Sequence, residues 1–335
     1  MMKSVLERLL GIRPATPKSS SRNDISFESI EQVRVDPTGP IEKEDILPSS
    51  PVELQQLDDP ISIDAPITIQ PETRFFQLSN AGHARKVAYT VSGNPNAVKV
   101  LVCLPGLLET KASFLELHNY FLNFSECLVV SIDVSGRGES DHIGAYGEYK
   151  MSMYLQEIEG LIKNTILTKK DRSVQLTVLG TSMGGVLAMY LTKTFPKNIV
   201  GIVLNDIALT VNWTSLYSLY KSMKNGIGFK AARQVAVELS VDERAIADVQ
   251  RPGHFDLSYR ADIWGMNFHE ALEGFKGKVG LIYGSQSEIC TEERVDEAKI
   301  YLPTLDTCKI EGAGHPAPFN VKACHFIQSQ MAVVS

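Results

Sequence analysis

The chain has 335 residues, 44% of them hydrophobic and 21% charged, and a net charge of −6. Such a composition is that of an ordinary soluble globular protein, with one large domain or two small ones. No apolar run reaches the ~18 residues that span a membrane, and the charge argues against nucleic acid as a partner.

The charge is unevenly placed. Residues 1–22 carry five cations against Glu7 alone, a charge of +4. Residues 23–72 carry twelve acids against Arg34 and Lys43, a charge of −10. Within Met1–Ile12, Val5, Leu6, Leu9, Leu10 and Ile12 recur at helical spacing between Lys3, Glu7 and Arg8. That pattern suits a short amphipathic helix making weak contact with a membrane surface or a partner protein. A frayed, weakly helical terminus fits the same residues. From Pro14 to Pro71 the chain is rich in Pro, Ser, Asp and Glu. Such a stretch buries too little apolar area to offset its ordering entropy, so residues 1–72 are expected to form a disordered acidic tail with a basic start. No uninterrupted apolar core marks a secretory signal. A cytoplasmic protein is expected, with organelle targeting or peripheral membrane attachment through the N-terminus as the alternative.

A folded body is expected from Thr73. Phe75–Leu78 and Lys86–Val91 read as strands, and Val98–Leu104 is a nearly continuous apolar strand. Phe114–Leu122 reads as helix, Cys127–Asp133 as strand and Met151–Leu167 as a long helix. Val174–Leu179, Ile199–Leu204, Val279–Tyr283 and Thr307–Ile310 complete the strands. Buried strands alternating with helices imply an α/β fold: a mostly parallel sheet covered by helices on both faces. Between residues 207 and 275 the pattern turns helical without strands, which predicts a helical cap over the strand ends. Trp213, Tyr217 and Trp264 are candidates to line a substrate pocket beneath it. The core then comprises residues 73–206 and 276–335. Five scattered cysteines have no metal-ligand spacing and are expected to be buried, reduced thiols. No metal and no organic cofactor is implied.

One stretch carries chemistry most directly. Gly180, Ser182 and Gly184 form Gly-x-Ser-x-Gly between a buried strand and a helix. That is the setting of a nucleophile elbow: a turn tight enough to exclude side chains at both glycines and to lift the Ser182 hydroxyl clear of the sheet. A serine nucleophile needs a base and a group that orients it. His315 follows the last strand in a glycine-flanked loop and is the candidate base; His142 and His254 are the next loop candidates. Two acids compete for the third role. Glu288 follows the strand ending at Tyr283 and ranks first by its order and loop setting. Asp206 follows the strand ending at Leu204 and is the alternative. Backbone N–H groups of Met183 and Leu107 are the candidate oxyanion donors.

Taken together, these residues resemble the α/β-hydrolase superfamily. Gly180-Thr181-Ser182-Met183-Gly184-Gly185 is similar to its elbow, and Leu104-Pro105-Gly106-Leu107 to its oxyanion loop, with proline in place of the usual histidine. Asp133–Asp141 resembles its Asp-x-x-Gly-x-Gly-x-Ser segment, and there the resemblance implies a role in loop structure for Arg137. Gly284–Glu288 and Gly312–His315 resemble its acid and histidine loops. The resemblance covers roughly residues 73–331. It implies a capped serine hydrolase cleaving a small-molecule acyl ester through an acyl-enzyme. A C–C bond hydrolase or cofactor-free haloperoxidase of the same fold, and a catalytically silent interaction protein, are the rivals.

Overall fold

The structure is a computed structural model, and it describes residues 68–80, 83–143, 147–168, 173–212, 214–215, 218, 232–251, 253–261 and 265–331. The expected amphipathic start, the acidic tail up to residue 67, and Trp213, Tyr217 and Trp264 lie outside the described residues.

The first strand begins four residues before Thr73. Strand β1 spans Ile69–Asn80 and pairs antiparallel with β2, His83–Gly93. Six further strands follow in one sheet: β3 Lys99–Leu104, β4 Cys127–Ile132, β5 Gln175–Thr181, β6 Ile199–Asn205, then β10 Lys278–Gly284 and β11 Asp306–Ile310. The spatial order is β1-β2-β4-β3-β5-β6-β10-β11. The six strands from β4 to β11 run parallel, and β2 joins them antiparallel along β4. The mostly parallel sheet is thus as expected. Its topology also places the site. From β3 the chain moves to β4 on one side and then to β5 on the other. Such a reversal opens a crevice at the carboxyl ends of the strands, between the loops that leave β3 and β5.

Alternate residues of β3 face opposite layers, as the period of a strand requires. Val100 and Val102 pack towards helices α2 (Met151–Leu161) and α3 (Met183–Thr194), among Tyr154, Ile158 and Leu187. Leu101 and Cys103 pack the other way, towards α1 (Leu115–Phe121) and α7 (Val321–Gln330), among Phe114, Leu117 and Ile327. All five cysteines are buried free thiols. Among the described residues no helix is long and apolar enough to cross a membrane.

The cap differs from expectation. Helices α4 (Ala232–Glu238) and α5 (Glu243–Asp248) are present. They are joined by a small antiparallel sheet of β7 (Thr210–Asn212), β9 (Gly265–Asn267) and β8 (Arg260–Ala261). Where a helical pattern without strands was expected, residues 265–272 thus form strand β9 and then a short 3-10 turn, His269–Leu272. Gly265 explains the pairing: a Cβ there would lie 2.0 Å from the Val211 carbonyl oxygen, so only glycine lets the two strands meet.

Candidate active site

Strand β5 ends at Thr181 and α3 begins at Met183, leaving Ser182 alone in the turn. Its backbone sits at φ 47° and ψ −111°, in a region that side chains other than glycine rarely enter. The surroundings enforce this strain. A Cβ on Gly180 would lie 2.2 Å from the Gly184 backbone, and one on Gly184 would lie 2.2 Å from the Leu104 carbonyl oxygen. Met183 is the first helical residue, so its N–H has no partner within the helix. The helix N-terminus behind it favours developing negative charge.

The candidate base and acid come from the ends of β11 and β6, with β10 between them. His315 lies in the loop between β11 and α7, half-buried. Its Nδ1 is 2.8 Å from Oδ2 of Asp206, a fully buried carboxylate just past β6. The other Asp206 oxygen accepts the Gly284 N–H at 3.2 Å, and the Asp206 N–H donates to the Ile282 carbonyl at 2.7 Å. A carboxylate accepts only, so Nδ1 carries the imidazole proton and Nε2 is left with its lone pair.

Glu288, ranked first by its loop setting, is not the carboxylate against His315. It is exposed, and its backbone carbonyl accepts from the Ser215 hydroxyl at 3.1 Å. The loop after β10 turns inward at Ser287 instead, whose hydroxyl accepts the N–H groups of Ile289 and Cys290. Asp206 needs no long loop, because β6 lies between β5 and β10 and ends beside Gly284. Of the other loop histidines, His142 lies 3.6 Å from Asp242. His254 is buried with Nδ1 3.0 Å from the Tyr149 carbonyl, and burial pushes its pKa down to about 4.

Three further residues complete the surroundings: Asn205 and Glu109, to which sequence reasoning gave no role, and Arg137, expected only to shape its loop. The Asn205 carbonyl accepts the Ser182 N–H at 2.9 Å, and its Nδ2 donates to the Ala317 carbonyl at 3.0 Å and lies 3.3 Å from the Thr181 hydroxyl. Glu109 folds back on the loop after β3, and its Oε2 accepts the Gly106 N–H at 2.7 Å. Burial pushes the Glu109 carboxyl up, against the pull of Gly106, His315 and Thr181. Arg137 is fully buried and donates to the carbonyl of Leu107 at 3.1 Å. Proline at 105 leaves the loop shape to such contacts.

Known proteins share this arrangement of strands and turns. The family model described as serine aminopeptidase, S33, matches residues 95–262, half of the chain. The 3-hydroxybutyrate-oligomer hydrolase of Cupriavidus necator is 28% identical over 290 residues, covering 76% of this chain and 94% of that protein. An α/β hydrolase from Novosphingobium aromaticivorans superposes with a TM-score of 0.61 at 18% identity, covering 78% of this chain and 98% of that one. The E-2-(acetamidomethylene)succinate hydrolase structure does so with a TM-score of 0.58 at 14% identity, over 77% and 97%. At such identities the solved structures speak for the fold, while the matched model covers the strand ends that carry Ser182 and Asp206. The chain belongs to the serine aminopeptidase S33 family of α/β hydrolases.

Proposed function

We propose that the protein cleaves carboxylic esters through an acyl-enzyme on Ser182. The observation that carries this reading is the His315–Asp206 pair at 2.8 Å, one strand end away from a serine held at φ 47°. In this reading Ser182 Oγ attacks the acyl carbon while His315 Nε2 takes its proton. The same nitrogen then returns the proton to the leaving oxygen. Asp206 holds the tautomer and stabilises the imidazolium that forms. The N–H groups of Met183 and Leu107 receive the oxyanion. A second attack, by water, frees the acid and restores Ser182.

The name of the C. necator relative supports an ester of a short hydroxyalkanoic acid as the substrate class. Oligomers of 3-hydroxybutyrate are chains of such esters, uncharged along their length and moderately apolar. A fluorophosphonate probe and two ester panels test the reading. One panel has p-nitrophenyl esters of graded chain length; the other has 3-hydroxybutyrate dimers and trimers. The expected result is labelling at Ser182 and turnover that Ser182→Ala lowers by ~10³-fold or more. A Ser182→Ala protein that keeps more than about a tenth of wild-type turnover refutes it.

A further inference from the structure

Arg137 is a fully buried cation that touches both residues carrying the expected oxyanion donors, Leu107 and Met183. It stands in the loop after β4, between Gly136 (φ 79°) and Gly138 (φ 52°). Its relative exposure is 0%. Nε donates to the Leu107 carbonyl at 3.1 Å, and Nη1 to the Ser135 carbonyl at 3.3 Å. Nη2 lies 4.0 Å from Sδ of Met183, and the guanidinium lies 4.9 Å from the centre of the Tyr154 ring. Backbone pairing holds the loop from the cap side: Gly138 N–H donates to Ser240, and Asp242 N–H to Gly136.

No carboxylate among the described residues pairs with this guanidinium. The buried acids around it are engaged elsewhere. Glu157 accepts from Ser135 and pairs with Arg85 at 3.1 Å. Asp133 pairs with Lys111 at 2.8 Å. Asp242 accepts from Tyr149 and pairs with Arg244, and Asp248 accepts the Gly147 and Tyr149 N–H groups. A buried cation held by carbonyls, a thioether and an aromatic ring, with no carboxylate among the described residues against it, is expensive to keep, since such charges are ordinarily paired. Folds retain that kind of local cost at functional sites.

We propose that Arg137 is the positioning residue of the oxyanion hole, and that the negative charge matching it is the one that develops on the substrate during attack. The inference rests on the serine-hydrolase reading above. Its hydrogen bond to the Leu107 carbonyl fixes the peptide that follows one expected donor. Its contact with the Met183 side chain fixes the residue that carries the other. A fixed positive charge behind both donors favours the transition state over the uncharged ester, because preorganised charge in a dry site acts where charge appears.

The test compares Arg137→Lys, which keeps the charge, with Arg137→Gln, which keeps a donor and loses the charge. Turnover that depends on Ser182 is measured on one p-nitrophenyl ester. Binding of a trifluoromethyl ketone, which forms an oxyanion on the serine, is compared with binding of a ground-state amide analogue. Arg137→Gln is expected to lower kcat by about 10- to 100-fold and to weaken the ketone by a similar factor. Its KM and amide affinity should move less than about threefold. Arg137→Lys should keep more than about a tenth of wild-type kcat. Wild-type kcat in Arg137→Gln, or equal loss of ketone and amide binding, overturns the proposal. If the glutamine variant does not fold, the lysine variant decides alone: less than about a tenth of kcat in a folded protein overturns it. Failure of the hydrolase reading shows separately, as turnover that survives Ser182→Ala.

Discussion

Ser182 donates its backbone N–H to the carbonyl of Asn205, and the residue after Asn205 is the carboxylate that holds His315. The proposed nucleophile and base are thus referenced to one dipeptide at the end of β6. The Asn205 side chain adds a third tie, to the Ala317 carbonyl two residues past His315. Asn205→Ala removes that donor and leaves a buried carbonyl unpaired, at a cost of about 1–3 kcal/mol. The expected outcome is a melting temperature lower by several degrees and kcat lower by about tenfold, with little change in KM. A variant that melts early but turns over normally would make Asn205 a scaffold residue only.

The two acids are separated by their geometry. Asp206 contacts His315 at 2.8 Å while Glu288 is exposed. Asp206→Asn is expected to lower kcat by ~10²–10⁴-fold, because an amide facing Nδ1 favours the wrong tautomer. Glu288→Gln should stay within about twofold of wild type, as surface substitutions ordinarily do. Steady-state kinetics of both variants on one ester, with melting curves alongside, checks the pair. A dead Glu288 variant beside an active Asp206 variant would reverse the assignment.

Gly184 is the tightest point of the elbow towards the oxyanion loop. A Cβ there would meet the Leu104 carbonyl at 2.2 Å and the Pro105 carbonyl at 2.8 Å, both backbone atoms that move only with the loop. Gly184→Ala is expected to destabilise the fold by about 1–3 kcal/mol and to lower kcat more than tenfold. Thermal melts and kinetics read the two effects separately. An alanine variant with wild-type kcat would mean that the loop after β3 does not shape the oxyanion hole.

Stability should fall with acid through two buried imidazoles. His118 lies between the Ser92 and Ser131 hydroxyls at 2.6 and 2.8 Å, and burial pushes its pKa down to about 4. His254 is pushed to about 4 by burial and by the neighbouring Arg137 charge. In the unfolded chain both titrate near the ordinary value of ~6.5. Below that value the unfolded state binds protons the folded state refuses, so falling pH favours unfolding until about pH 4. Each ring contributes at most about 1.4 kcal/mol per pH unit across that window. The melting temperature is expected to drop between about pH 7 and pH 4.5, and His118→Gln should flatten that slope while lowering stability at neutral pH. Equal slopes in the two proteins would remove His118 from the account.

Much of the core was legible because its signals are local. The elbow announces itself through two glycines around a serine, and each predicted strand of the sheet lies within two residues of its observed ends, β1 and β2 apart. The loop position of His315 was legible because glycines precede it after a late strand. The carboxylate that meets it was not, because that depends on strand order in space: β6 lies between β5 and β10, and no spacing in the sequence states that. The cap sheet was hidden by strands of three residues or fewer, too short to show a period. Arg137 was hidden for a different reason. The resemblance implies only a role in loop structure for it, and its burial against Leu107 and Met183 depends on contacts far apart in sequence.

The placement of Asn205 and Asp206 on a central strand has a consequence for how the enzyme fails. Strand β6 is hydrogen-bonded on both sides, to β5 and to β10, and its residues Ile202, Val203 and Leu204 are fully or almost fully inaccessible. A segment so placed opens only in global unfolding, at the top of the range of local stabilities. The Asn205–Asp206 segment therefore has no loosening of its own that heat or denaturant can reach first. Catalysis and the central sheet should vanish in a single transition, and slow hydrogen exchange at Asn205 and Asp206 should mark the last amides to let go.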